Sequence, residues 1–129
     1  MFIDDDEDLL AFLKHAVETQ GIECHCYPSG DKAREVIEEV YPGIVFIDYR
    51  LVEGDGITLM RKIKETLPFS VLIMLTGEGN EMIAVQSIKS GAEDYLVKPV
   101  DNSLLIEIMY TYFKKFLSAV LELNDKYIY

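Results

Sequence analysis

The sequence predicts an α/β domain built on a doubly wound parallel sheet. Two observations predict it. Short apolar runs that end in a polar residue alternate with stretches whose apolar residues recur at helical spacing. The runs are also apolar at consecutive positions, as strands covered on both faces of a parallel sheet must be. The plainest run is Ile44-Val45-Phe46-Ile47, which leads into Asp48. Phe2-Ile3 leads into Asp4-Asp5-Asp6, Val71 to Leu75 into Thr76, and Tyr95-Leu96-Val97 into Lys98-Pro99. Strands alternating with helices imply right-handed crossovers. All strands then end at one edge, where open α/β sheets bind ligands.

Taken in order, Phe2-Ile3 is a short first strand. A central strand usually needs about five residues, so the sequence reads as beginning inside one. Leu9, Leu10, Leu13, Ala16 and Val17 define a helix over Glu7 to Gln20, stopped by Gly21. Ile22 to Tyr27 alternates and reads as the second strand. Pro28-Ser29-Gly30 is a turn, with Ser29 or Asp31 as the cap of a helix over Asp31 to Val40. Pro42-Gly43 breaks the chain before the Asp48 strand. Tyr49 to Asp55 reads as a loop, Gly56 to Leu67 as a helix closed by Pro68, and Phe69 to Leu75 as the fourth strand. A loop with two glycines leads to a helix over Glu81 to Lys89. A short fifth strand covers Tyr95 to Val97. Asp101 or Asn102 caps a last helix from Ser103 to about Asn124.

The length of 129 residues suits one domain, and half of the residues are hydrophobic. No apolar run approaches the length of a membrane span, and no signal-peptide pattern opens the chain. A net charge of −11 argues against nucleic acid or an anionic membrane as a direct partner. Cys24 and Cys26 are too few for a zinc site and read as small buried residues of a protein in a reducing, cytoplasmic compartment.

Adjacent carboxylates repel, so a cluster of them at the sheet edge needs a cation. Asp4, Asp5 and Asp48 offer the oxygen ligands that Mg²⁺ takes. Asp6, Glu7 and Asp8 read as a solvated helix start favoured by the helix dipole. Asp48 could serve as a nucleophile toward phosphorus, because a carboxylate can form an aspartyl-phosphate. Phosphoryl transfer needs mainly positioning and charge neutralisation, which Lys98 and the metal would supply, with Thr76 hydrogen-bonding a phosphoryl oxygen.

In register, Asp4-Asp5, Asp48, Thr76 and Lys98-Pro99 resemble the receiver domain of two-component response regulators. Asp55-Gly56 and the run from Gly91 to Pro99 add to the likeness, which covers residues 2 to about 116. The resemblance implies a flavodoxin-like (βα)5 fold with strand order 2-1-3-4-5. It implies a receiver domain over residues 1–116; residues 117–129 read, from their own apolar pattern, as an extension that dimerises or links to a further domain. Asp48 would accept a phosphoryl group from the phosphohistidine of a histidine kinase or phosphotransfer protein. Asp5 and Asp48 would hold Mg²⁺ directly with the backbone carbonyl of Arg50, and Asp4 would act through water. Thr76 and Tyr95 would form the switch pair, and the Lys98-Pro99 bond would be cis. The protein would catalyse only its own phosphotransfer and slow dephosphorylation, and so would not be an enzyme in the ordinary sense. Val52 stands where the family often has proline and Gly77 where alanine is usual; neither removes a chemical group.

Three other readings compete. A hydrolase of the haloacid dehalogenase type would want an acid two residues after the nucleophile, and that position is Arg50. A flavin-binding protein of this fold would need a phosphate-cradling loop where the chain has acids. A receiver-like interaction module that is never phosphorylated would not require the full set of Asp4, Asp5, Asp48, Thr76 and Lys98. His15 and His25 read as structural residues.

The last helix carries two adjacent apolar seams. One runs through Leu105, Met109, Tyr112, Phe116, Ala119 and Leu123, the other through Ile106, Tyr110, Phe113, Leu117 and Val120. Its first half can bury them on the sheet. From about Phe116 the helix is expected to project, exposing Phe116, Leu117, Val120, Leu121 and Leu123 for pairing with a second copy. The other readings are a helix that bends back over its own domain and one that begins a linker.

Overall fold

The computed structural model describes residues 1–127, with side chains described through residue 123. The strands are β1 (Phe2–Ile3), β2 (Cys26–Tyr27), β3 (Ile44–Ile47), β4 (Arg50–Leu51), β5 (Gly54–Asp55), β6 (Val71–Thr76) and β7 (Ala92–Val97). The helices are α1 (Glu7–Glu18), α2 (Gly30–Val40), α3 (Gly56–Thr66), α4 (Glu81–Lys89) and α5 (Asn102–Tyr127). Five strands form one sheet in the order β2-β1-β3-β6-β7, every neighbouring pair parallel. With the small β4-β5 ladder set aside, this is the expected order 2-1-3-4-5.

Alternation within each strand divides the core in two. Ile3, Val45, Ile47, Leu72 and Met74 pack with Ala33 and Ile37 of α2, Met60 and Ile63 of α3, and Ile83 of α4. Phe2, Ile44, Phe46, Ile73 and Leu75 pack with Leu10, Leu13 and Val17 of α1 and with Leu105 and Met109 of α5. Both faces are therefore covered, which is why the strands read as unbroken apolar runs. Phe2 and Phe46 are register partners, and their rings stack at 4.7 Å with 10° between planes.

The helix starts follow their caps. Asp6 Oδ1 accepts from Leu9 N, Ser29 Oγ from Lys32 N, and Asp55 Oδ1 from Thr58 N. Asp101 rather than Asn102 caps α5, its carboxylate accepting from Leu104 N.

Four boundaries differ from the sequence reading. The second strand is two residues long, because β1 offers only two ladder residues and the Cys24 carbonyl is taken by Lys14 Nζ at 2.9 Å. Residues 49–55 are not a simple loop, since Arg50 pairs with Asp55 and Leu51 with Gly54 in an antiparallel ladder. The fourth strand starts at Val71 and reaches Thr76, leaving Phe69 outside it. The last strand begins at Ala92, three residues early. Its polar Glu93 and Asp94 are tolerated at the sheet edge because Lys115 and Tyr112 of α5 pair with them at 2.5 and 2.8 Å.

Helix α5 runs unbroken through residue 116. Leu117 and Leu121 are exposed as expected, but Phe116, Val120 and Leu123 are partly buried. Phe116 stays on the seam facing its own domain, 5.8 Å from the Phe113 ring and 6.5 Å from Tyr41. Among the described residues, no helix is long and apolar enough to cross a membrane.

Candidate functional site

The edge holding the carboxyl ends of the parallel strands assembles the site. β1 lies inside the sheet, between β2 and β3, so the end of the strand is held from both sides. Asp4 N donates to Tyr27 O at 3.2 Å, and Asp48 N donates to Ile3 O at 3.0 Å. Asp4 and Asp48 are buried, whereas Asp5 faces solvent. One carboxylate oxygen from each of the three lies within 4.8 Å of the others.

Lys98 reaches this cluster from the end of β7. Its backbone N donates to Thr76 O at 2.8 Å, and the Lys98-Pro99 bond is cis as the resemblance implied. The Nζ atom lies 2.5 Å from Asp4 Oδ2 and 3.5 Å from Asp48 Oδ2. Burial raises the pKa of Asp4, and the nearby charge of Asp48 adds to that against the opposing hydrogen bond from Lys98. Burial disfavours the Lys98 ammonium, but the hydrogen bond to Asp4 and the charges of Asp4 and Asp48 outweigh it and hold its pKa above the ordinary lysine value. Lys98 is thus a firm cation among carboxylates.

The remaining expected residues lie around this group. Thr76 is buried at the end of β6, where its hydroxyl accepts from Glu78 N at 3.3 Å. Tyr95 is half-buried on β7, and its hydroxyl accepts from Asn80 N at 3.4 Å at the start of α4. Arg50 extends from β4 and pairs with Glu78. Asp6 caps α1, with Glu7 and Asp8 in its first turn, so these acids serve the helix as read from the sequence. His15 lies on the exposed side of α1, and His25 pairs with Glu23 at 3.3 Å; neither reaches the cluster.

Two supports escaped the sequence reading. Glu53 hydrogen-bonds Gly30 N, tying the segment after Asp48 to the start of α2. No local pattern marks a contact made across 23 residues. Gly56 allows a close backbone approach: a Cβ there would stand 2.2 Å from the Asp48 carbonyl oxygen. The Asp55-Gly56 pair was visible in the sequence, but its steric reason was not.

A doubly wound sheet with three carboxylates, a lysine and a hydroxyl at its ligand-binding edge has the arrangement of a receiver domain. Comparison with known proteins agrees. The family described as the response regulator receiver domain matches residues 1–110, and the chain belongs to that family. It is 32% identical over 101 residues to the photosynthetic apparatus regulatory protein RegA of Rhodobacter capsulatus, covering 78% of this chain and 55% of that protein. A CheY-like response regulator receiver domain protein from Methanospirillum hungatei superposes with a TM-score of 0.87 at 25% identity, over 92% of this chain and 94% of that one. The beryllofluoride-activated NtrC4 receiver domain dimer superposes with a TM-score of 0.84 at 29% identity, over 89% of this chain and 95% of that one. The chain spans 22% of the length of one curated relative it matches, the regulatory protein AtoC of Escherichia coli, and 55% of RegA.

Proposed function

We propose that this receiver domain is a phosphoacceptor switch, carried by one observation: Asp48 is buried beside Asp4, Asp5 and the Lys98 ammonium at the end of the sheet. An Asp48 oxygen attacks the phosphorus of a phosphohistidine on a histidine kinase or phosphotransfer protein. The new P–O bond forms as the P–N bond breaks, and the imidazole leaves. Lys98 draws a phosphoryl oxygen into place, and Thr76 donates to another. Tyr95 follows Thr76 and passes the change to the α4 surface, where its hydroxyl already meets Asn80.

The donor set suits Mg²⁺, a hard cation that takes oxygen ligands. Asp5 and Asp48, with the backbone carbonyl of Arg50, would hold it, and bound there it would neutralise phosphoryl charge. Both Asp4 oxygens are already engaged, one by Asp6 N at 2.9 Å and one by Lys98, which favours a water-mediated part for Asp4. The protein turns over no separate substrate and acts in the cytoplasm, where kinase phosphohistidines are made. The exposed seam of α5 pairs it with a second copy, a reading supported by the NtrC4 receiver dimer.

Incubation with acetyl phosphate and Mg²⁺, followed by intact mass measurement, tests the central claim. A phosphoryl adduct should appear and should vanish in Asp48→Asn. Its absence from the wild type would leave a receiver-fold interaction module that is not phosphorylated.

A further inference from the structure

The two cysteines lie away from the carboxylate cluster, under α1 at the edge of the sheet. Cys26 is the first residue of β2, opposite Phe2 of β1, and Cys24 precedes it by two. Residues two apart in extended chain point to one face, and here both sulfurs meet: Cys24 Sγ and Cys26 Sγ are 3.8 Å apart. Cys24 is buried and Cys26 half-buried, so a small oxidant reaches Cys26 first. Cys26 Sγ also lies 3.7 Å from Leu10 O of α1.

We propose that Cys24 and Cys26 form a reversible intramolecular disulfide, a redox modification site separate from phosphorylation. Residues two apart in extended chain span about 6.6 Å between Cα atoms, at the upper end of the range that a disulfide bridges. The sulfurs must close from 3.8 Å to about 2.05 Å. The movement falls on Cys24, whose carbonyl is held by the flexible Lys14 side chain, while His25 O, which accepts from Phe2 N at 2.9 Å, and Cys26 stay on β1. A bridge across so short a loop is strained, and strained disulfides are the easily reduced, regulatory kind.

The hydrogen bond with Cys24 lowers the pKa of the Cys26 thiol, against the effect of burial. The oxidant is a hydroperoxide. The Cys26 thiolate attacks its outer oxygen, the O–O bond breaks, and the leaving alkoxide takes a proton from water, giving a sulfenic acid. Cys24 sulfur then attacks Cys26 sulfur; the S–O bond breaks, the S–S bond forms, and the thiol proton leaves with hydroxide as water. Two thiols are oxidised by two electrons, and the peroxide is reduced to an alcohol and water. A dithiol reverses the change.

The folded protein is treated with a small excess of hydrogen peroxide, denatured in N-ethylmaleimide and weighed. The expected wild-type product is lighter by two hydrogens and carries no maleimide, and dithiothreitol before denaturation restores two adducts. Cys24→Ser is expected to trap the sulfenic acid on Cys26 as a dimedone adduct. A wild-type chain that keeps two alkylatable thiols, gains oxygen in place of losing hydrogen, or links only to a second chain overturns the proposal. So does a Cys24→Ser chain whose Cys26 takes no dimedone.

Discussion

Lys98 Nζ lies 2.5 Å from Asp4 Oδ2, joining the end of the last strand to the end of the first across 94 residues of sequence. The lysine is shared, because Asp48 Oδ2 is 3.5 Å away on its other side. Asp5 faces solvent and, among the described residues, makes no such pair, which leaves its carboxylate open to a cation. Asp5→Asn is expected to weaken Mg²⁺ binding by at least about tenfold, the lower bound for disturbing a metal's supporting groups. Lys98→Ala should spare Mg²⁺ binding while sharply reducing the acetyl phosphate adduct. Mg²⁺ titration of both variants, followed by intact mass, checks this; unchanged affinity in Asp5→Asn would move the metal elsewhere.

Gly56 is expected to tolerate no side chain. Gly56 N donates to Tyr49 O, and an added Cβ would strike the Asp48 carbonyl oxygen, which is backbone and cannot rotate away. Gly56→Ala should therefore lower stability by about 1–3 kcal/mol, the usual cost of overpacking. It should also displace Asp48 and slow phosphorylation. A denaturant melt and the adduct assay measure the two effects separately.

Arg50 and Glu78 pair across the mouth of the site, one from β4 and one from the segment after β6. The pair would obstruct water approaching a phosphoryl group on Asp48. Arg50→Ala and Glu78→Ala are each expected to quicken loss of the phosphoryl group. The change should be a few-fold at most, since exposed ion pairs are weak. Following the decay of the adduct by mass decides it, and two unaltered rates would remove the lid.

The exposed seam of α5 places Tyr110, Phe113, Leu117 and Leu121 in solvent on a single copy. Such a stripe on one helix suits pairing with another copy. Light scattering at micromolar concentration should give a dimer mass, at least when phosphorylated. Leu117→Glu with Val120→Glu should return a monomer that still takes a phosphoryl group. A monomer from the wild type in both states would defeat the pairing.

The Tyr112 hydroxyl donates to Asp94 Oδ2 at 2.8 Å, fastening α5 to the edge strand. Burial and that bond push its pKa from 10.0 up to about 12. The folded state thus keeps a proton that the unfolded chain releases, so this stabilisation is complete below pH 10 and lost as pH rises through about 12. Wild type and Tyr112→Phe should differ in the alkaline slope of their denaturant midpoints, with the shallower loss in Tyr112→Phe. Parallel slopes would contradict the assignment.

Much of this site was legible as local pattern. A strand buried on both faces must be apolar at every position, so the first polar residue after each run marks its carboxyl end. That logic located Asp4, Asp48, Thr76 and Lys98 without knowledge of which strands are neighbours. The helices were legible for a similar reason, since a single face toward the sheet leaves its period in the sequence. The edge strands were read less well. Glu93 and Asp94 carry charge into β7, where Lys115 and Tyr112 of α5 pair with them.

Tertiary structure alone decided the rest. Asp4 and Asp5 are adjacent and chemically alike, yet one is buried against Lys98 and the other is open to solvent. That difference comes from the pleat at the end of β1 and from β1 lying between β2 and β3. The same is true of Glu53 on Gly30, Arg50 on Glu78, and Phe116 turned toward Tyr41 instead of solvent. Periodicity records which face of its own element a residue occupies. Contacts between distant segments depend on the order and register of the strands, and no local spacing encodes them.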